Sequence, residues 1–382
     1  MEMDASYLRP VIIQNIRVYI NFYLQKKGLF NSSSALLSER MKSFISYKYA
    51  VIAIVGLASC NESKYSDIIQ KRDHEIDVRD MIVKFDEDPV MIGASAYLAT
   101  SQNKIYIEDS GSTDKLVNVY DATDGKYLGS FADYGSGPYE IGVSDLPTVI
   151  PANSQHGDRY IMIDHAQHNI FVYDVDSALV FPDYLPQRIR KMDGLEFPSR
   201  YKPLNDSTGL SNRIRLKPDS YDINQTLVRY NLSTGDISVF TEDDNQPSGL
   251  FSFTVVPERN LVAASEPDRD IIWLYDLDGN VKKRIKGPEF TSEPNKQMSY
   301  NTLMGCTDKY LLTVYCGKPT REQHNGNKLI VNDFDGNYIA TLNIGEPIID
   351  MKYHVPTGKL YMVLKDDRQF VTLDINKALE KE

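Results

Sequence analysis

One phrase, repeated six times, limits what this chain can become. It is an apolar strand closing on Asp or Asn, a short turn, and then a second run. Copies read LVNVYDATDGKYLGSF (Leu116–Phe131), IFVYDVDSALVF (Ile170–Phe181), LVRYNLSTGDISVF (Leu227–Phe240), IIWLYDLDGNVKKRI (Ile271–Ile285), LIVNDFDGNYIATL (Leu329–Leu342) and a worn FVTLDINKALE (Phe370–Glu380). Their marker residues Asp121, Asp174, Asn231, Asp276, Asp333 and Asp374 are spaced by 53, 57, 45, 57 and 41. Alternation of apolar and polar residues around Asp-Gly or Thr-Gly is a β-hairpin pattern. Two further strand-like runs precede each hairpin, as Phe251–Val256 and Asn260–Ser265 do in the fourth copy. Four antiparallel strands in a repeat of 40–50 residues, roughly, is the content of one propeller blade. The chain is therefore expected to be all-β: a six-bladed β-propeller of four-stranded antiparallel blades.

The ends of the repeat predict how the ring closes. The last copy offers three strands, Ile348–His354, Lys359–Lys365 and Gln369–Ile375, and then turns polar. Met81–Phe85 is a strand without a blade upstream of the first copy. Pairing that N-terminal strand onto the last blade would close the ring and cover an open edge. Residues 77–382 are assigned to the propeller and 60–76 to a polar linker.

The first sixty residues carry an address. From Met41, Lys42 and Lys48 precede the uncharged run Tyr49–Ala58, and Leu57-Ala58-Ser59-Cys60 follows. A run of about ten apolar residues is too short to span a bilayer and has the length of a signal-peptide core. Residues 41–59 thus read as a lipoprotein signal peptide with its peptidase recognition at Leu57, Ala58 and Ser59. Cys60 is the expected lipidation site, since only a thiol forms the thioether. Residues 1–40 read as an extension upstream of the true start at Met41; the rival reading is an amphipathic helix over Val11–Lys27. The expected location is the cell envelope, lipid-anchored at the outer membrane.

The hairpin repeats, the Leu-Ala-Ser-Cys ending and the loop Gly135-Ser136-Gly137-Pro138-Tyr139-Glu140 resemble the TolB-like six-bladed propeller lipoproteins of Bacteroidales. The family phrase is Gly-x-Gly-Pro-Gly-Glu, so Tyr139 departs from it, and the resemblance implies a ring that bulges or is exposed there. The resemblance covers about Asp77 to Glu382. It implies a propeller and an envelope location, and no established activity.

Charge narrows the partners. The chain holds 42 Lys+Arg against 53 Asp+Glu, a net of −11. Residues 1–59 contribute seven bases and three acids, so the chain from Cys60 carries 35 bases against 50 acids. That balance argues against nucleic acid, whose phosphates require clustered Lys and Arg. No Walker loop, Gly-x-Ser-x-Gly or His-Glu-x-x-His occurs. The Asp-x-Asp-Gly turns could be read as calcium loops, but Asp-Gly serves hairpin geometry directly. Asp164, His165 and His168 could form a metal site, although that spacing suits a helix better than a hairpin. Cys306 and Cys316 flank a hairpin turning at Thr307-Asp308, which places them too far apart for a disulfide.

Recognition is expected on the propeller face that carries the blade-to-blade loops and the loops between second and third strands. Candidate residues there are Tyr134, Tyr139, Glu140, Arg188, Arg190, Arg269, Arg321, His324 and Arg368, a set rich in aromatics and Arg. The expected function is a membrane-anchored binding or scaffolding module for a protein or glycan, without cofactor. The alternative is a hydrolase of the lactonase type, needing a divalent cation held by carboxylates and an amide in the central channel.

Overall fold

The computed structural model describes residues 66–85, 90–192, 196–216, 223–242, 245–323 and 325–381. The segment 1–40, the signal peptide 41–59 with Leu57, Ala58 and Ser59, the lipidation site Cys60, and His324 lie outside the described residues.

Six antiparallel blades form a ring, five with four strands in sequential order from the channel outward and the sixth completed by an N-terminal strand. Blade I comprises Ala96–Thr100, Lys104–Asp109, Lys115–Asp121 and Tyr127–Asp133. Blade II comprises Thr148–Ile150, Arg159–Asp164, Asn169–Asp174 and Gln187–Lys191, and blade III Glu196–Pro203, Thr208–Leu216, Ile223–Asn231 and Ile237–Val239. Blade IV comprises Ser252–Val256, Leu261–Ser265, Ile271–Tyr275 and Val281–Lys286, and blade V Met298–Cys306, Leu311–Pro319, Lys328–Asn332 and Tyr338–Asn343. Blade VI takes Ile348–His354, Lys359–Leu364 and Phe370–Asp374 from the C-terminus and Val83–Lys84 from the N-terminal segment.

Strand periodicity explains the stacking of blades. Successive side chains point to opposite sheet faces, and here both faces are covered by neighbouring blades. In Lys104–Asp109, Ile105 and Ile107 pack towards blade VI while Tyr106 packs towards blade II. In Leu261–Ser265, Val262 and Ala264 join the core shared with blade III, and Leu261 and Ala263 the core shared with blade V. The hydrophobic core is thus divided into six slabs, one at each blade interface.

Closure uses more chain than the expected single strand. Val83 and Lys84 pair antiparallel with Thr372 and Val371, and the Phe85 N–H donates to Phe370 O at 3.0 Å. Phe85 then wedges edge-on between Tyr120 of blade I and Tyr361 of blade VI. Ahead of it, Ser66–Ile69 pairs parallel with Lys283–Lys286 as a fifth strand of blade IV. Glu75–Asp77 pairs parallel with Thr341–Asn343 as a fifth strand of blade V. The stretch read as a polar linker therefore pairs with the propeller from Ser66 onward. It runs as a strap over the outer edges of blades IV, V and VI. Between its strands, Arg72 makes a bidentate ion pair with Asp270 at 2.8 and 3.0 Å and lies over the Tyr315 ring.

The repeated phrase divides by its turn residue. Where Gly is present, the chain makes the expected hairpin: Gly125, Gly235, Gly279 and Gly336 have φ between 74° and 92°, a region that favours glycine. The preceding acid or amide caps the turn, as when Asp276 Oδ1 accepts from the Asp278 and Asn280 N–H groups. The two copies without Gly form short helices instead, α1 (Val175–Val180) and α2 (Ile375–Leu379). Asp174 and Asp374 become N-caps, accepting from Ser177 N and Lys377 N, the role for which short acids are favoured. Consequently the outer strand of blade II is not Ala178–Phe181 but Gln187–Lys191.

Candidate binding groove and central channel

The loop of the first blade connection is built around Glu140. Its carboxylate turns inward and accepts from the Gly137 N–H at 2.7 Å. A Cβ at Gly135 would lie 2.0 Å from Glu140 Oε2, and one at Gly137 would also collide with that carboxylate. Both glycines are thus required by the close approach, and Glu140, partly exposed, holds the loop in this shape. The same closure turns Tyr139 outward: its side chain is 39% exposed and its ring centroid lies 6.4 Å from that of Phe171.

Tyr139 edges a groove of about 270 Å³ between blades I and II, with Tyr173, Tyr184, Phe181 and Leu185 as further walls. Helix α1 and the segment after it supply much of that wall. Their position is fixed by the Asp174 cap and by the Tyr184 hydroxyl, which accepts from the Asp174 N–H at 2.8 Å. Phe181 and Leu185 are each 60% exposed. Lys115 and Asp133, joined at 2.6 Å, give the groove one polar border. Exposed apolar groups grouped this way, with a polar border, are characteristic of an interaction site.

The other expected face residues do not converge on it. Tyr134 is exposed in the same loop as Tyr139. Arg188 and Arg190 lie on the outer strand of blade II rather than in a loop, and Arg190 donates to Thr234 O of blade III. Arg269 is pinned bidentately to buried Glu266 at 2.6 and 2.7 Å, and Glu266 also accepts from Trp273 Nε1. Arg368 is paired with Asp366 at 2.7 Å. Arg321 is an exposed turn residue of blade V. Phe181, Tyr184 and Leu185 were not singled out by sequence because the segment containing them read as a strand and turn.

A second concentration of polar groups occupies the channel. Asp145 accepts from Ser199 Oγ at 2.7 Å and from the Arg200 N–H at 2.6 Å. This grips a bulge in the inner strand of blade III, where Arg200 adopts φ 55°; bulges commonly re-aim side chains. Next to it, buried Glu108 accepts from Tyr160 Oη at 2.6 Å. Burial, aided by the charge of Asp145, pushes its carboxyl up to about 7. Beyond the bulge, Lys202 is half-buried in the channel; desolvation, with Lys352 close by, brings its ammonium down to about 8.

The Asp164 carboxylate of the possible metal group is engaged by backbone amides, accepting from the N–H groups of Gly142, Val143, Ala166 and Gln167. His165 packs tilted against Phe197, ring centroids 4.6 Å apart, and lies 3.5 Å from Asp145. Among the described residues no group of three or more His, Cys, Asp or Glu is placed to hold a metal ion. The Cys306 and Cys316 thiols are both free. Among those residues no helix is long and apolar enough to cross a membrane.

With this geometry in place, comparison with known proteins supports the fold. A candidate exported protein from Bacteroides fragilis is similar to this chain with a TM-score of 0.50 at 13% identity, covering 78% of this chain and 88% of its own. A protein from Bacteroides vulgatus gives 0.49 at 12%, covering 76% and 94%. The calcium-binding protein regucalcin from Agrobacterium tumefaciens gives 0.48 at 9%, covering 81% and 95%. No family model and no curated protein matches the sequence. The chain is a six-bladed β-propeller. At 13% identity the likeness to the Bacteroides fragilis protein is one of fold alone.

Proposed function

We propose that this propeller is an exported binding or scaffolding module, lipid-anchored through Cys60 at the outer membrane, that engages a protein or glycan through the groove between blades I and II. The observation that carries the reading is the grouping of exposed Tyr139, Phe181 and Leu185 around one cavity. Aromatic side chains offer large contact area at low entropic cost and dominate interface energetics. The anchor is supported by the Leu57-Ala58-Ser59-Cys60 ending. Cys60 stands six positions before Ser66, where the strap begins on blade IV, so a short tether would join lipid to propeller. The resemblance to Bacteroidales lipoproteins fits the same placement.

The experiment compares wild-type protein with Tyr139→Ala/Phe181→Ser in capture from envelope extract, alongside membrane fractionation of Cys60→Ala. Loss of a specific captured component from the groove variant, and release of Cys60→Ala into the soluble fraction, are the expected results. Equal capture by both proteins contradicts the groove. Retention of Cys60→Ala on membranes contradicts the anchor.

A further inference from the structure

The channel holds a group of cations that the groove does not use. Lys202 reaches a cavity of about 160 Å³ that Thr254, Cys306, Met351 and Lys352 also line. Among the described residues its ammonium has no hydrogen-bond or ion-pair partner, and neither has the Arg200 guanidinium. Lys352 lies 3.3 and 3.4 Å from the Asp350 oxygens, and Asp350 also accepts from the Leu98 N–H at 2.8 Å. Asp350 is thus the carboxylate acting on Lys202, against the two cations Lys352 and Arg200, while Asp145 is engaged at the Arg200 backbone. Cys306 adds no negative charge, because burial pushes its thiol up. The charged or titratable groups acting on Lys202 are Lys352, Asp350, Arg200 and Cys306.

An ammonium partly withdrawn from bulk water without a direct ion-pair partner is disfavoured. This one persists in a chain of net −11, where an added carboxylate would have been an ordinary way to neutralise it. A bound anion would supply the missing charge and accept from both ammonium groups, and charge-assisted bonds of this kind are the strong ones. The cavity volume limits the guest. At about 30 Å³ per water it has room for roughly five waters, which suits a small molecule or a small terminal group. We propose that the channel cavity binds a small oxyanion, a carboxylate or phosphate group gripped between Lys202 and Lys352.

The test is trace reductive methylation of the purified protein with formaldehyde and cyanoborohydride, read lysine by lysine by peptide mass spectrometry, with inorganic phosphate or acetate added. Exposed Lys365 is the internal reference. A saturating anion is expected to slow methylation of Lys202 at least about fivefold, because a proton-holding, occluded ammonium is unreactive, while Lys365 is unaffected. Protection by phosphate alone assigns a phosphorylated ligand, by acetate alone a carboxylate, and by both the shared oxyanion chemistry. Lys352→Met should weaken that protection by about tenfold, the value of one charge-assisted contact. Thermal unfolding provides an independent arm. The anion should raise the midpoint of wild type and Lys202→Arg, but not of Lys202→Met. Lys202 methylation that ignores both anions, or falls in step with Lys365, overturns the proposal; so does a full anion-induced rise in Lys202→Met.

Discussion

At the scale of single residues, Glu108 shows how the channel stores a pH dependence. Its carboxyl is raised to about 7 by burial, against the lowering effect of Ser144 and of Tyr160, which donates to one oxygen at 2.6 Å. In the unfolded chain it titrates near 4.5. Between those values the folded state keeps a proton that the unfolded chain releases. Stability from this residue is therefore fully present below the unfolded value and is lost as pH rises through about 7. Glu108→Gln removes the ionisation and preserves an acceptor for Tyr160. Urea unfolding should find the variant more stable than wild type at pH 8 by up to about 3 kcal/mol, with the difference shrinking towards pH 5. An unchanged difference across that range contradicts the assignment. None of this was legible from sequence, since Glu108 sits in an ordinary strand, KIYIED, and its environment comes from Asp145 and Tyr160 on distant chain. Tyr139 was more legible. Its departure from Gly-x-Gly-Pro-Gly-Glu marked it, and the structure exposes its ring at the groove.

At the scale of elements, hairpin periodicity and Asp-Gly turns were sufficient to place most strands, because local residue types determine them. They failed where the turn lacked Gly: VDSALV and INKAL became helices α1 and α2, capped by Asp174 and Asp374. The sign was present in the missing Gly and in the Asp three residues before the N–H it caps. The groove was hidden with it, since α1 and the chain following it build one wall. The strap was less legible, because SDII and EID are too short and polar to read as strands; they pair only because edges of blades IV and V are available. Arg72 is what locks this strap. Its side chain and that of Asp270 are 6% and 0% exposed. Arg72→Met would leave a buried carboxylate uncompensated, at a cost of about 3 kcal/mol. Arg72→Met/Asp270→Asn should recover most of that loss in denaturant unfolding. A single variant within about 0.5 kcal/mol of wild type, the level of an exposed pair, contradicts the locking role.

At the scale of the whole molecule, six blades divide the core into slabs. The ring is closed across blades VI and I by Val83–Lys84, by Phe85 and by the Tyr361 hydroxyl donating to Ala122 O at 3.1 Å. This architecture holds the blade I–II groove open to one side and the cationic cavity inside the channel, so a large partner and a small anion would occupy separate sites. The measurement that tests the binding account most directly is photo-cross-linking in intact cells from a benzoylphenylalanine placed at Tyr139. The control is the same group at Val355 on blade VI, which at 64% is more open to solvent than Tyr139 at 39%. The account predicts a discrete adduct from position 139, recovered with the membrane fraction, and none from position 355. No adduct from 139, or the same adducts from both positions, would contradict it.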